Sequence, residues 1–355
     1  MLAGLMTAFG ARTTPIAIGG YGTFDGVMDG AFRRPRIEGT FTGRQMRAFD
    51  VVWGAATGKA VIENSYADVT DAVITSGDSV IKTTGRYSLG FPRRDKGEEI
   101  DAIVQIDRRP LADLRHAFEL DDYDVDGVFS GEFHVYGAYL NPLGFGSMTI
   151  NQGVGYGEPF DIATAAVRLE GDGVRLVDIE VEKGTGTATG AAFVGWNGTY
   201  SFNFDAVRIP VESLALTTGP NIPPLSGVID FTAGGSGTFD FPRYDVRGTI
   251  LDFFVADEGI GQVVGTLSIN GDLMTVRVEA ASPRLTVSGS GQVNLDDEMN
   301  AELVFSVADT SLDPYIRAFQ PALSPYTTAI ASGNIKVNGS LANIDDLLVE
   351  ATVDK

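Results

Sequence analysis

The chain reads as an all-β, non-catalytic repeat protein built from modules of about a hundred residues, and three observations carry that reading. Composition is the first. The 44 Gly, 21 Phe and 11 Tyr against 2 Trp fit many short strands joined by tight turns and leave little room for long helices. Side-chain alternation is the second, and self-similarity along the chain is the third.

Alternation is clearest in Arg175-Leu176-Val177-Asp178-Ile179-Glu180-Val181-Glu182, where Val177, Ile179 and Val181 face one way and Asp178, Glu180 and Glu182 the other. Such a strand has one dry face and one wet face. The same pattern recurs around Phe202 and Phe204, Val276 and Val278, and Leu285 and Val287. Asn197-Gly198 and Asn270-Gly271 mark hairpin turns of the type that needs positive φ at both central residues. Consecutive antiparallel strands follow. The pattern predicts roughly 25 to 30 of them, which at about 4.8 Å spacing reach on the order of 120 to 140 Å.

The repeat appears when Pro110 to Phe118 is set on Ser311 to Phe319, so that Leu111 meets Leu312 and Ala117-Phe118 meets Ala318-Phe319. Downstream, Ser130-Gly131 meets Ser332-Gly333, Val135 and Gly137 meet Val337 and Gly339, and Asn141 meets Asn343. A shorter middle copy runs from Pro210 to Leu214 and on to Ser226-Gly227. With the Ser-Gly pairs aligned, the steps 131 to 227 and 227 to 333 are 96 and 106 residues. Gly19 to Asp25 also resembles Gly234 to Asp240. The modules are therefore drawn as 1–108 (a partial first module), 109–210, 211–311 and 312–355 (the start of a further one), a piece of a longer array. Leu111 to Phe118 and Leu312 to Phe319 carry apolar residues at helical spacing. Each predicts a short amphipathic helix once per module, with Asp309 or Ser311 as cap and Pro321 as stop.

Charge and composition remove several classes of function. With 47 acidic and 26 basic side chains the formal charge is −21, which repels nucleic acid phosphates and anionic membrane surfaces, so no nucleic acid partner is expected. The opening Met1 to Met6 is apolar but has no basic residue before Arg12 and no long apolar run after it, so neither a signal peptide nor a membrane anchor is readable. The absence of cysteine fits a periplasm and equally a cytosol.

Asp122-x-Asp124-x-Asp126-Gly127 matches the first half of a calcium loop, but position twelve falls on Phe133 and the second copy has no acids. It reads as a solvated acidic loop, with Asp122, Asp124 and Asp126 the one set a cation would use. Gly184-x-Gly186-x-x-x-Gly190 and Gly153-x-Gly155-x-Gly157 lie between strands rather than between a strand and a helix, so they read as strand-edge glycines and not dinucleotide loops. Two histidines, His116 and His134, and no cysteine leave almost no material for zinc or a thiol nucleophile. No Gly-x-Ser-x-Gly elbow is present and no carboxylate pair stands out. No cofactor is expected.

The order Leu-x-x-[Leu/Tyr], Ala-Phe, Ser-Gly, Val-x-Gly, Asn, carried by Arg108 to Leu143 and by Asp309 to Asp346, resembles the repeats of the TamB family (translocation and assembly module) in the AsmA-like superfamily. The resemblance implies an elongated, twisted and curled antiparallel β-sheet groove, with an apolar interior and short helices between modules. It implies an inner-membrane-anchored protein of the periplasm that carries phospholipid acyl chains toward the outer membrane. It also implies an Omp85-type outer-membrane barrel as partner, and hence outer-membrane protein assembly as an alternative role. The strand pattern meets this at one point: a sheet with a repeating apolar face and no helices to cover it must close on itself or offer that face to something apolar. The residues expected to line the groove are Val177, Ile179, Val181, Phe202, Phe204, Val276, Val278, Leu285 and Val287. A β-repeat surface adhesin is the remaining alternative, and it calls for aromatic residues on the wet face.

Overall fold

The computed structural model describes residues 19–31, 34–90, 93, 96–118, 120–217, 222–238, 240–256, 258–282, 285–313, 329–343 and 346–354. Among them the chain is all-β, with twenty strands, each antiparallel to its neighbours in sequence where the register is defined. The first nine are β1 Gly19–Ala31, β2 Arg34–Ala48, β3 Val51–Glu63, β4 Tyr66–Ser76, β5 Ser79–Ser88, β6 Ile100–Pro110, β7 Val125–Gly137, β8 Pro142–Gly155 and β9 Glu158–Glu170. There follow β10 Gly173–Lys183, β11 Gly186–Gly195, β12 Thr199–Pro210, β13 Leu225–Thr238, β14 Phe241–Val255 and β15 Glu258–Asn270. The last are β16 Leu273–Ser282, β17 Leu285–Asn294, β18 Asn300–Ser311, β19 Ile330–Ser340 and β20 Leu348–Val353. The strands are fewer and longer than the alternation predicts, because many continue through a bulge that interrupts the period of two.

The chain divides into two compact units, residues 1–179 and 180–355, with the division inside β10. In the first unit β1 to β9 form a meander in which each strand pairs with the next, and β1 is not paired with β9. In the second, β11 to β20 do the same, and β11 is not paired with β20. Among the described residues neither ladder closes into a barrel.

Bulges with a left-handed non-glycine residue fall in even-numbered strands and on the same side of each ladder, and β3 and β15 each carry a further register shift, at Gly54 and Gly261. Gln45 (φ 50°), Asp71 (52°), Arg108 (52°), Gln152 (50°), Asp178 (50°), Arg208 (56°), Asp252 (48°) and Asp309 (41°) all take left-handed backbone in even-numbered strands. A bulge adds one residue against its partner strand, bends the strand and raises its twist. Three bulges are held alike: the N–H of Arg108 donates to Ser130 Oγ (3.0 Å), that of Arg208 to Asp230 Oδ1 (2.7 Å) and that of Asp309 to Ser332 Oγ (2.8 Å). These positions give steps of 100 (108 to 208) and 101 (208 to 309), one per six strands. Asp230 therefore stands where Ser130 and Ser332 stand, and Ser226-Gly227 aligns with Asp126-Gly127. The Ser-Gly alignment of the middle copy is corrected by four residues. Gly127 (φ 145°) and Gly227 (φ 148°) share the conformation that makes the correction plain.

A helical segment follows the strand that carries each held bulge. After β6 it is helix α1, Leu111–Ala117, with Leu114 and Ala117 buried. After β12 it is two short 3-10 turns, Val211–Ser213 and Ala215–Thr217. The Leu312 to Phe319 stretch and Pro321 lie outside the described residues apart from Leu312 and Asp313. Asp309 and Ser311 lie at the end of β18, and the helix that either was expected to cap lies outside the described residues. The hairpins differ in detail from the Asn-Gly reading. Gly195 and Thr199 flank a three-residue loop in which Gly198 is at φ 79°, and the second turn is centred on Gly271-Asp272, since Asn270 pairs with Leu273. The turns with two left-handed residues are Phe49-Asp50, Asn64-Ser65 and Tyr156-Gly157.

In the first unit the bulge line is a crease that curls the sheet with its dry face inward. Arg109, only 2% exposed, lies on β6, yet its Nη2 donates to the Val52 carbonyl (3.0 Å) and its Nη1 to that of Trp53 (3.3 Å) on β3. In a flat ladder β3 and β6 stand about 14 Å apart. The guanidinium also lies 5.1 Å from the Trp53 ring and pairs with Asp113 of α1 at 2.7 Å. Arg109→Met deletes the charge and leaves two carbonyls and a carboxylate without a donor. It is expected to destabilise the first unit by about 2–3 kcal/mol, read as lost hydrogen-exchange protection at Val52, Trp53 and α1 with β11 to β20 unchanged. Unaltered protection at those sites would show that the curl does not depend on Arg109.

Candidate functional site

Residues paired across an antiparallel ladder point to the same face, so the register says which side chains share a surface. In the second unit one row runs Gly190, Phe204, Ala233, Val246, Leu267, Val276, Gly291, Leu303, Val337, Val349, across ten strands without a polar side chain. The next row on that face is Ala188, Ala206, Phe231, Gly248, Gly265, Val278, Gly289, Phe305, Ile335, Ala351. In the first unit Gly26, Gly39, Ala60, Val69, Gly85, Ala102, Val135, Gly144 and Leu169 form the equivalent row. Each unit presents one continuous dry face.

That face is only partly sealed. Side chains are buried beside the bulge line, at Phe129, Ile150 and Ala163 in one unit and Ala206, Ile209 and Val211 in the other, and again at the far end of β17 and β18, at Val293 and Ala301. Away from these positions Phe202, Phe204, Val276, Val278 and Val287 are half-buried. Among the described residues the largest side chains fully closed to solvent are Val293 and Thr310, where a two-layer core would close off several Phe, Leu and Ile.

Glycines shape the dry face in two ways. At some, an aromatic ring lies flat over the missing side chain: Phe133 over Gly131 and Gly146, Phe204 over Gly190, Phe305 over Gly289, and Phe202 with Tyr244 over Gly235. A Cβ at Gly235 would meet Tyr244 Cδ1 at 2.5 Å and Phe202 Cε1 at 2.7 Å. Tyr200 Oη donates to Tyr244 Oη at 2.8 Å across β13, which ties the rings of β12 to those of β14. Elsewhere the space stays open. Gly248 and Gly265 are paired, and a Cβ at Gly265 would have only the Arg277 carbonyl oxygen near it, at 3.7 Å.

Of the predicted lining residues, Phe202, Phe204, Val276, Val278 and Val287 lie on the dry face with Leu285, which is buried. In β10, Ile179 is buried and Val177 and Val181 are half-buried, alternating with exposed Asp178 and Glu180, and Asp178 takes left-handed backbone. Phe231, Val246, Leu267, Leu303 and Phe305 belong to the same face and went unnamed. Tyr244-x-Val246 and Leu303-x-Phe305-x-Val307 carry the period of two that would have found them.

The opposite face of the second unit is mostly polar: Asp205, Thr232, Arg247, Thr266, Arg277 and Ser290 form one row, which continues to the exposed Val304, with Val264 exposed on the same face. In the first unit the wet face carries apolar groups as well. Ile103 is 54% and Phe145 58% exposed, His134 packs 5.5 Å from Phe145 and 5.4 Å from Tyr136, and its Nε2 lies 2.8 Å from Asp101 Oδ1.

Asp122, Asp124 and Asp126 are exposed, and Asp126 Oδ1 accepts the Gly127 N–H at 2.7 Å. Among the described residues no three His, Cys, Asp or Glu side chains gather as a metal site requires. His116 Nδ1 sits 2.9 Å from Asp121 Oδ2 at the surface. Burial pushes the Tyr139 and Tyr87 hydroxyls up from the usual phenol range, and Tyr139 donates to the Ser88 carbonyl at 2.9 Å, a structural bond. Among the described residues no helix is long and apolar enough to cross a membrane.

No family model, no curated protein and no solved structure matches this chain. Its function is therefore argued from the two faces of the sheet.

The two kinds of glycine make opposite predictions. Gly235→Ala should cost about 1–3 kcal/mol by overpacking against Tyr244 and Phe202. Gly265→Ala, without left-handed backbone and facing open space, should be neutral or stabilise by up to about 1 kcal/mol. Urea unfolding followed by Tyr fluorescence checks both, and equal losses at the two sites would refute an open notch at Gly265.

Proposed function

We propose that this protein carries hydrocarbon on the dry face of its sheet and serves as a conduit for phospholipid acyl chains. The observation that supports this most is the row from Gly190 to Val349, ten strands wide, without a polar side chain and without a covering layer among the described residues. Each CH₂ kept from water is worth about 0.8 kcal/mol, so a sixteen-carbon chain crossing water bare meets a barrier of roughly 12 kcal/mol. A continuous apolar surface lowers that barrier without any one residue being indispensable. Acids on the wet face keep the sheet soluble and discourage edge pairing.

The resemblance of Arg108 to Leu143 and of Asp309 to Asp346 to TamB-type repeats supplies the setting for this reading. On this reading the protein works in the periplasm of a two-membrane bacterium and exchanges lipid between its inner and outer membranes. An Omp85-type barrel is the partner it points to.

Native mass spectrometry of the purified chain should find co-purifying phospholipid. Val276→Glu places a charge in the path of the hydrocarbon and should weaken retention by about 2 kcal/mol or more, roughly thirtyfold, with an unchanged far-UV spectrum because Val276 is only half-buried. A preparation free of phospholipid, or retention indifferent to the charge, counts against the conduit.

A second reading has its own observation. The exposed Phe145 and Ile103, with Tyr136, His134 and Asp101 beside them, make an aromatic and polar patch on the wet face of the first unit, as a glycan-binding repeat protein needs. A glycan array should then give hits that Phe145→Ala abolishes, and a blank array removes this reading.

A further inference from the structure

The wet face of the second unit holds a feature that hydrocarbon binding does not use. Arg247 and Arg277 both pair with Thr266, from opposite sides, so the two arginines project from the same face of three adjacent strands. Their backbones stand about 10 Å apart, which lets both guanidinium groups reach one ligand above Thr266. They line a shallow hollow with Asp245, Ser268 and Gln292.

Neither arginine makes an ion pair among the described residues. Arg36, Arg86, Arg109 and Arg175 each hold a carboxylate, in a chain with 47 acids to 26 bases. Two like charges facing each other across a strand repel. The carboxylate nearest in the hollow, Asp245, accepts instead from Ser268 Oγ at 2.8 Å.

We propose that Arg247 and Arg277 bind the phosphate of a hydroxyl-bearing phosphate ester. Guanidinium forks match phosphate oxygens in bidentate geometry, and phosphate accepts several donors at once. The Thr266 hydroxyl and the Gln292 amide supply further donors, and Asp245 with Ser268 accepts from the ligand's hydroxyls. The ester is either a free polyol phosphate or the glycerophosphate headgroup of a lipid. The site lies on the opposite face from the hydrocarbon path, so either function stands without the other.

The probe is sn-glycerol 3-phosphate, titrated by NMR at about 0.15 M salt, where the Debye length of about 8 Å screens the chain's overall negative charge. Saturable shifts at β14 to β16 are expected, with glycerol alone giving none and the double change Arg247→Gln and Arg277→Gln weakening binding at least tenfold. Flotation with phosphatidylglycerol vesicles but not phosphatidylcholine vesicles assigns the headgroup, and saturable binding without flotation assigns the free ester. If the double variant's far-UV spectrum departs from the parent's, Arg277→Gln alone decides, with a severalfold loss expected. Absence of saturable shifts, or equal affinity in a folded variant, overturns the proposal.

Discussion

The constraint on which the structure depends is strand register. A strand that slips by one residue turns its whole apolar set outward, and here the set must line up across nine or ten strands in each unit. The bulges are what keep the lines straight while the sheet bends. In β18, Val307 points in, Ala308 and Asp309 both point out, and Thr310 points in again. The same in, out, out, in order recurs at Ala206 to Ile209 and at Ile106 to Arg109. Because the extra residue enters at the same side of alternate strands, the alternation changes phase along one line and the dry face continues past it. Hydrogen bonds donated by the bulge N–H groups of Arg108, Arg208 and Asp309 to Ser130, Asp230 and Ser332 fix that line at one point in every six strands.

The all-β class, the antiparallel meander, the module of about a hundred residues and the helix after Pro110 were all legible, because each rests on a local period. The bulges were not. They sit on Asp, Arg and Gln, residues that a period-two reading assigns to the wet face anyway, so an added outward residue leaves no mark in the hydrophobic pattern. The middle module was set four residues out of step for another reason: its Ser226-Gly227 matches Asp126-Gly127 and not Ser130-Gly131. The turns at Phe49-Asp50 and Tyr156-Gly157 were hidden for a related reason: their left-handed residues are imposed by a two-residue loop between fixed registers, with no Asn-Gly to announce it. Arg109 was hidden too, since its partners on β3 lie over fifty residues away.

The candidate surface was legible as a chemistry before it was legible as a place. Alternation named Phe202, Val276 and Val287 as dry, but only the register shows that they share a face with Phe231, Val246 and Leu303. The high glycine content then takes on a second meaning beyond turns. Glycine on the dry face lets rings from neighbouring strands lie flat, as over Gly235 and Gly289, and leaves notches where no ring arrives, as at Gly265. Rings over glycine give the face enough internal packing to hold its shape without a second layer, and so leave it available to an apolar ligand.

The central claim is that the dry face is open, and a chain without cysteine makes it directly measurable. Val276 and Thr275 are neighbours on β16 that point to opposite faces, half-buried and exposed respectively. Each is replaced by cysteine in turn, and the rate of modification by a small maleimide is compared in lipid-free protein. Rates within about tenfold of each other are predicted, and a Val276→Cys thiol protected to the level of global unfolding would show a sealed core and contradict the account.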